Sequence, residues 1–321
     1  MNRVLITGGC GFLGSNLAKR MINEGYFVRV FDNSFRGNKS KLGNYFSDID
    51  FVEGDIRDLD AVDKACQGMD VIFHLAFING TKYFYEIPEK VLEVGVKGAM
   101  NTLEAALKNN LAKYILASSS EVYQEPTAIP TPETERAIIP DIMNPRYSYA
   151  GGKIISELLA INYCRHSKMT ATIFRPHNIY GPDMGFEHVI PEFILRMKKL
   201  SDNFRLNQIE FPLQGTGKET RAFCYIDDFI DGLMVVLKSG NPNEIYNIGN
   251  DHEEIPISDL AEKIAHLLNL HIKINHQESP LGSAPRRRPC IDKLKKLGYN
   301  PTVSLEDGLL KTIEWYISRN D

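Results

Sequence analysis

Thr7-Gly8-Gly9-Cys10-Gly11-Phe12-Leu13-Gly14 closes the apolar run Val4–Thr7 and opens the helical pattern Phe12–Glu24. Glycines at 8, 11 and 14 give the spacing G-x-x-G-x-x-G. Such a loop turns tightly, lets backbone N–H groups approach a pyrophosphate and lets the next helix pack close to the strand. The partially positive start of that helix adds attraction for phosphate. Gly8, Gly11, Phe12, Leu13 and Gly14 are therefore candidates for holding a dinucleotide. A glycine turn also closes ordinary loops, so its surroundings must discriminate.

Outward from this loop, β-rich runs at Phe27–Phe31, Asp50–Glu53, Val71–Leu75, Lys113–Ala117 and Thr170–Arg175 alternate with helical patterns at Asp58–Gln67, Pro88–Asn109 and Ser148–Ser167. Strands separated by crossover helices predict an α/β fold with a doubly wound parallel sheet, of Rossmann type. Beyond about Tyr180 the rhythm loosens. Loop signals at Gly181-Pro182, Gln214–Thr220 and Ser279–Pro289 separate helical patterns at Ile190–Lys199, Asp227–Lys238, Ile257–Leu268 and Leu305–Ser318. The chain reads as a nucleotide-binding domain over 1–178 and a smaller C-terminal α/β lobe over 179–321, with some segments returning to the main sheet.

Composition narrows the partners. With 43% hydrophobic and 24% charged residues and a net charge of -4, the chain reads as a globular protein rather than a nucleic-acid or membrane-surface binder. No apolar run reaches the ~18 residues of a membrane span, and MNRVLITGG enters a strand pattern without a leader. Five scattered cysteines without C-x-x-C spacing suit reduced thiols in the cytoplasm. The eight histidines lack H-E-x-x-H spacing, so no metal is expected.

Strand ends carry the next signals. Asp32 lies 18 residues after Gly14. A carboxylate there accepts ribose hydroxyls and repels a 2′-phosphate, which favours NAD over NADP. The alternative is an acid opening a turn at Asn33-Ser34, and Arg36 leaves room for NADP. Asn33 joins Asp32 as a cofactor candidate. Asp55-Ile56 suits the adenine amino group or simply a helix start. Leu75 and Ala76 lie where a cofactor would run, whereas His74 reads as structural.

Tyr149 and Lys153 are four apart and share a helix face. A tyrosine acts as base near neutral pH only if its pKa falls by about 3 units, or ~4 kcal/mol. A lysine charge ~4 Å away at an effective dielectric of ~20 supplies on the order of 4 kcal/mol. The stretch Ala117-Ser118-Ser119-Ser120-Glu121-Val122-Tyr123 brings hydroxyls and a carboxylate to the end of another strand. His177, Asn178, Glu187 and His188 follow the sixth strand and are candidates to face a substrate.

Together, TGGCGFLG, Asp32, GDI at 54–56, HLA at 74–76, SSSEVY, YAGGK, RPHNIYGP at 175–182, TRAFCYIDD at 220–228, YNIG at 246–249 and RRRP at 286–289 resemble the extended short-chain dehydrogenase/reductases. The resemblance is to the NAD-dependent sugar-nucleotide epimerases and dehydratases. It implies NAD, a nucleoside-diphosphate sugar substrate, and a homodimer formed through Pro88–Asn109 and Ser148–Ser167. It places Ser119 on the reacting hydroxyl, makes Tyr149 the base, sets Lys153 on the nicotinamide ribose, and puts Arg221 and Arg286 on the diphosphate or nucleotide.

Ser120 and Glu121 are where the resemblance places the choice of reaction. Glu121 after a Ser/Thr pair is usual in 4,6-dehydratases and glucuronate decarboxylases but not in plain 4-epimerases, and Ser120 replaces the Asp of dTDP-glucose dehydratases. Gly95, Gln124 and Cys290 depart from common family residues. SSSEVYQ with NPRYSYAGGKIISEL is most similar to a surface-polysaccharide subgroup. That favours net C4 oxidation of a GDP-sugar such as GDP-heptose. Epimerisation, dehydration or decarboxylation through a transient 4-ketone is the alternative. A non-catalytic NAD or sugar-nucleotide sensor is the competing class.

Overall fold

The structure is a computed structural model that describes residues 2–278 and 284–318. The first half forms β1 (Arg3–Thr7), α1 (Phe12–Asn23), β2 (Phe27–Asp32), β3 (Asp50–Glu53), α2 (Leu59–Cys66), β4 (Val71–His74), α3 (Thr81–Glu86), α4 (Pro88–Lys108), β5 (Lys113–Ala117), α5 (Ser148–Cys164) and β6 (Thr170–Pro176). The short α3 has no counterpart in the sequence reading, because six residues are too few to show a helical period.

The second half adds β7 (Ile179–Tyr180), α6 (Val189–Leu200), β8 (Gln208–Gln214), β9 (Thr220–Ala222), β10 (Cys224–Tyr225), α7 (Ile226–Ser239) and β11 (Glu244–Ile248). It ends with β12 (Glu254–Pro256), α8 (Ile257–Leu267), β13 (His271–Gln277), β14 (Arg286–Arg287), α9 (Asp292–Lys295) and α10 (Leu305–Ser318). Of the loop expected over Ser279–Pro289, residues 279–283 lie outside the described residues, and Arg286–Arg287 pairs with β9 as a strand.

Seven parallel strands stand in the order β11-β6-β5-β4-β1-β2-β3. Side chains alternate between two apolar layers: Leu5, Phe31, Ile72, Tyr114 and Ile173 enter one, Ile6, Val30, Phe73, Ile115 and Phe174 the other. Burial on both faces is why these strands read as continuous apolar runs. β11 comes from the second half yet pairs with β6, so that part of the chain returns to the main sheet. The lobe has its own pairs, β8 with β13 and β12-β9-β14.

Strand order reverses between β1 and β4, the position where sheets of this class bind ligands beyond their carboxyl ends. There Thr7 Oγ1 and His74 Nδ1 lie 2.9 Å apart, which places His74 in a buried structural bond. Among the described residues, no helix is long and apolar enough to cross a membrane, and no group of three or more His, Cys, Asp or Glu side chains is placed to hold a metal.

Candidate active site

A cavity of about 1020 Å³ opens at this reversal. It runs from Asp55 past the phosphate loop to Tyr149, Glu121 and Arg287. Every cofactor candidate read from the sequence lines it: Gly8, Gly11 to Gly14, Asp32 and Asn33, Asp55 and Ile56, Leu75 and Ala76, Tyr149 and Lys153.

The glycines are required by space. Gly8 has φ +74°, and a Cβ there would sit 2.8 Å from Ala76 N; a Cβ on Gly14 would sit 2.3 Å from Gly8 O. Gly11 caps α1 without a side-chain hydrogen bond, so the helix start presents bare N–H groups to the cavity. Asp32 accepts from Cys10 N at 2.8 Å and from Ser34 N at 2.7 Å, fixing the phosphate loop to the end of β2. Burial raises its pKa, and the two N–H groups pull the other way. Asn33 donates to Asp55 at 3.0 Å, and Arg57 holds Asp55 down to about 2. A glycine cradle, an uncapped helix start and a buried carboxylate together fit NAD.

At the other end, Tyr149 is buried between Phe84, stacked at 4.9 Å, and Phe77, edge-on at 5.1 Å. Burial pushes its phenol up, and the neighbouring Ser119 hydroxyl lowers it only in part. Lys153 donates to Ala117 O at 2.6 Å and lies 4.0 Å from the Phe77 ring centre. Its burial brings it down to about 7. Ser119 caps the short turn Ser120–Tyr123, accepting from Glu121 N at 3.1 Å. Ser118 instead bonds Glu157, which holds Arg175 through contacts of 2.8 and 2.6 Å inside the core.

Residues 4–249 match the NAD dependent epimerase/dehydratase family. The protein belongs to that family. It is 34% identical to a UDP-N-acetyl-alpha-D-glucosaminuronate decarboxylase of Bacillus cytotoxicus, over 98% of this chain and 97% of the relative. It is 32% identical to UDP-glucuronic acid decarboxylase 1 of Xenopus tropicalis, over 98% of this chain and 72% of that one. A dTDP-glucose 4,6-dehydratase of Streptomyces venezuelae, solved with NAD bound, superposes with TM-score 0.86 at 28% identity, over 98% and 96% of the two chains. A UDP-glucose 4-epimerase of Thermotoga maritima, solved with UDP-glucose, gives 0.87 at 25% identity, over 98% of each chain. None of these four is named as a GDP-sugar dehydrogenase.

In this NAD-dependent epimerase/dehydratase, Asn178, Glu187 and His188 line the cavity with Ser119, Ser120 and Glu121. Glu187 pairs with Arg36 at 3.3 Å, and burial with the Arg36 charge brings His188 down to about 4. His177 does not line the cavity: its ring is packed beside Tyr123, and Nε2 meets Asn247 at 3.1 Å. Arg221 also lies off the cavity wall and donates to Thr220 O at 2.8 Å.

Arg286 turns outward to Glu254 at 2.6 Å and does not line the cavity. Arg287 faces in and bonds Glu121. Successive strand residues point to opposite faces, which is the signal that separates the two. Burial raises Glu121, but the guanidiniums of Arg287, Arg146 and Arg221 outweigh it and hold the carboxyl below its ordinary value.

Proposed function

We propose that the protein is an NAD-dependent decarboxylase of a nucleoside-diphosphate uronic acid, with uridine diphosphate the favoured nucleotide. The observation that carries this reading is Arg287. Its Nη1 holds Glu121 at the cavity wall, while its buried Nε has no hydrogen-bond partner among the described residues. A guanidinium edge of this kind suits a carboxylate on the sugar. The decarboxylases among the relatives support the same choice.

Tyr149 takes the proton of the C4 hydroxyl, with Ser119 bonded to the same oxygen and Lys153 fixing the floor of the site through Ala117. Bound NAD supplies the hydride acceptor and later the hydride donor. A ketone at C4 makes the sugar a β-keto acid, so the bond from C5 to its carboxylate breaks and carbon dioxide leaves. The electron pair is held as the C4 enolate beside Ser119 and Tyr149. C5 then takes a proton from solvent water, and Tyr149 returns its proton to the C4 oxygen as that carbon is reduced. No net oxidation results.

The test is incubation with UDP-glucuronate and with GDP-, dTDP- and CDP-sugars, following product mass. Loss of carbon dioxide supports the reading. Loss of water marks a dehydratase, an isomer of equal mass an epimerase, and loss of two hydrogens the net oxidation expected of a GDP-sugar enzyme. Tyr149→Phe is expected to keep NAD and lose turnover. We also propose that two copies pair through α4 and α5, whose Leu92, Met100, Ile155 and Leu158 are exposed.

A further inference from the structure

Asn247 has no exposed surface and touches no part of the cavity, yet its side chain uses every hydrogen bond it can make. Its Nδ2 donates to Thr131 O at 2.9 Å and to Cys290 O at 3.2 Å. Its Oδ1 accepts from Tyr123 Oη at 2.8 Å and lies 3.1 Å from His177 Nε2. The two carbonyls fix which way the amide points, so His177 must carry its proton on Nε2. Burial lowers His177 to about 3, which keeps that ring neutral.

The four partners belong to separate segments. Tyr123 ends the turn that carries Glu121. Cys290 lies three residues beyond Arg287, and its N–H bonds Thr131 O at 2.9 Å, while Thr131 N bonds Arg288 O at 2.8 Å. The segment bearing Arg287 is thus stitched to Thr131, and one amide ties that stitch to the turn bearing Glu121. Asn247 itself is held in β11, opposite Arg175 in the main sheet.

We propose that Asn247 is the positioning residue of the Glu121–Arg287 pair, setting the approach of carboxylate and guanidinium without touching substrate. The role rests on the decarboxylase reading above. An amide with its full set of bonds, buried on a rigid strand, holds two loops in one register where either loop alone would shift. Glutamine in its place would move the amide by one methylene and break the set.

The experiment compares wild type, Asn247→Ala and Tyr123→Phe as NAD-loaded protein, by crystal structure and by the pH dependence of kcat with UDP-glucuronate. Tyr123→Phe removes a single bond and keeps the ring, so it carries the test if Asn247→Ala does not fold. The expected result is a lengthened Glu121–Arg287 contact, kcat down about tenfold with KM within about twofold, and an acid limb moved to higher pH as Glu121 loses its cation. An unchanged contact and unchanged pH profile in Tyr123→Phe, with only lowered thermal stability in Asn247→Ala, would overturn the role. A wild type inert toward uronates would count against the decarboxylase reading alone, and the contact in the variant crystals would still judge Asn247.

Discussion

The Lys153 ammonium donates to Ala117 O at 2.6 Å and lies 5.7 Å from the centre of the Tyr149 ring. Its bond is spent on the end of β5, and burial leaves the phenol above its ordinary value. On the sequence alone, Lys153 together with a positive nicotinamide ring lowers Tyr149. In the structure burial raises that phenol; Ser119 and Arg36 pull it down, and Glu121 pushes it up. Lys153 ties α5 to the end of β5 through Ala117.

The buried lysine has a measurable signature. Its pKa falls from 10.5 to about 7 on folding, so between those values the unfolded chain binds more protons than the folded one. The sign is that stability from this group rises with pH over that window, and the full cost of burying the charge is felt below it. Melting temperature of NAD-free protein should therefore climb from pH ~7 to ~10 relative to Lys153→Met, in which this contribution is absent. Equal pH slopes in the two proteins would remove Lys153 from this account.

Asp32 holds the phosphate loop through two backbone N–H groups as well as facing the cofactor trough. Asp32→Asn replaces one acceptor oxygen with a donor, so one N–H loses its partner. Hydrogen bonds to charged groups contribute ~1.5–3 kcal/mol, which makes a drop of tenfold or more in NAD affinity the expected result of calorimetric titration. Affinity for NADP should fall less, because the charge that repels a 2′-phosphate is gone.

Much of this site is legible from the residues alone, for reasons that differ along the chain. The glycine loop and Asp32 are legible because each needs a residue type that nothing else satisfies: a Cβ at Gly14 meets Gly8 O at 2.3 Å. The paired strands β8 and β13 are not, although the burial of QIEFPLQ alternates, because Pro212 sits inside the run and argues against a strand. The Arg286/Arg287 choice needs the register of β14 against β9, which a run of three arginines does not contain. His177 lies in a motif that borders the site, yet its ring turns into the core to meet Asn247.

That register yields a paired test. Arg287→Lys keeps the charge but loses the planar guanidinium that bonds Glu121 and is proposed to take the sugar carboxylate, so kcat/KM should fall by on the order of a hundredfold. Arg286→Ala removes an exposed pair with Glu254 and should change kcat/KM by less than about threefold. Steady-state kinetics on the two variants checks this, and the reverse ranking would place the anion-binding arginine at 286.

The outer faces of α4 and α5 supply a test of another kind. Leu92 and Met100 are each 37% exposed, Ile155 39% and Leu158 59%, on two helices that pack against each other. These four side chains carry the pairing of two copies proposed above. Leu158→Glu should convert a dimer into a monomer in sedimentation velocity while leaving NAD bound. A wild type that sediments as a monomer would contradict the pairing.

In the proposed reaction carbon dioxide leaves and the cofactor's redox state is restored. The most direct measurement is a simultaneous record of carbon dioxide and of NADH absorbance while the NAD-loaded protein turns over UDP-glucuronate. The expected result is many equivalents of carbon dioxide per protein with no net NADH, and a pentose nucleotide as product. NADH formed in step with a keto-sugar that keeps all its carbons would contradict it.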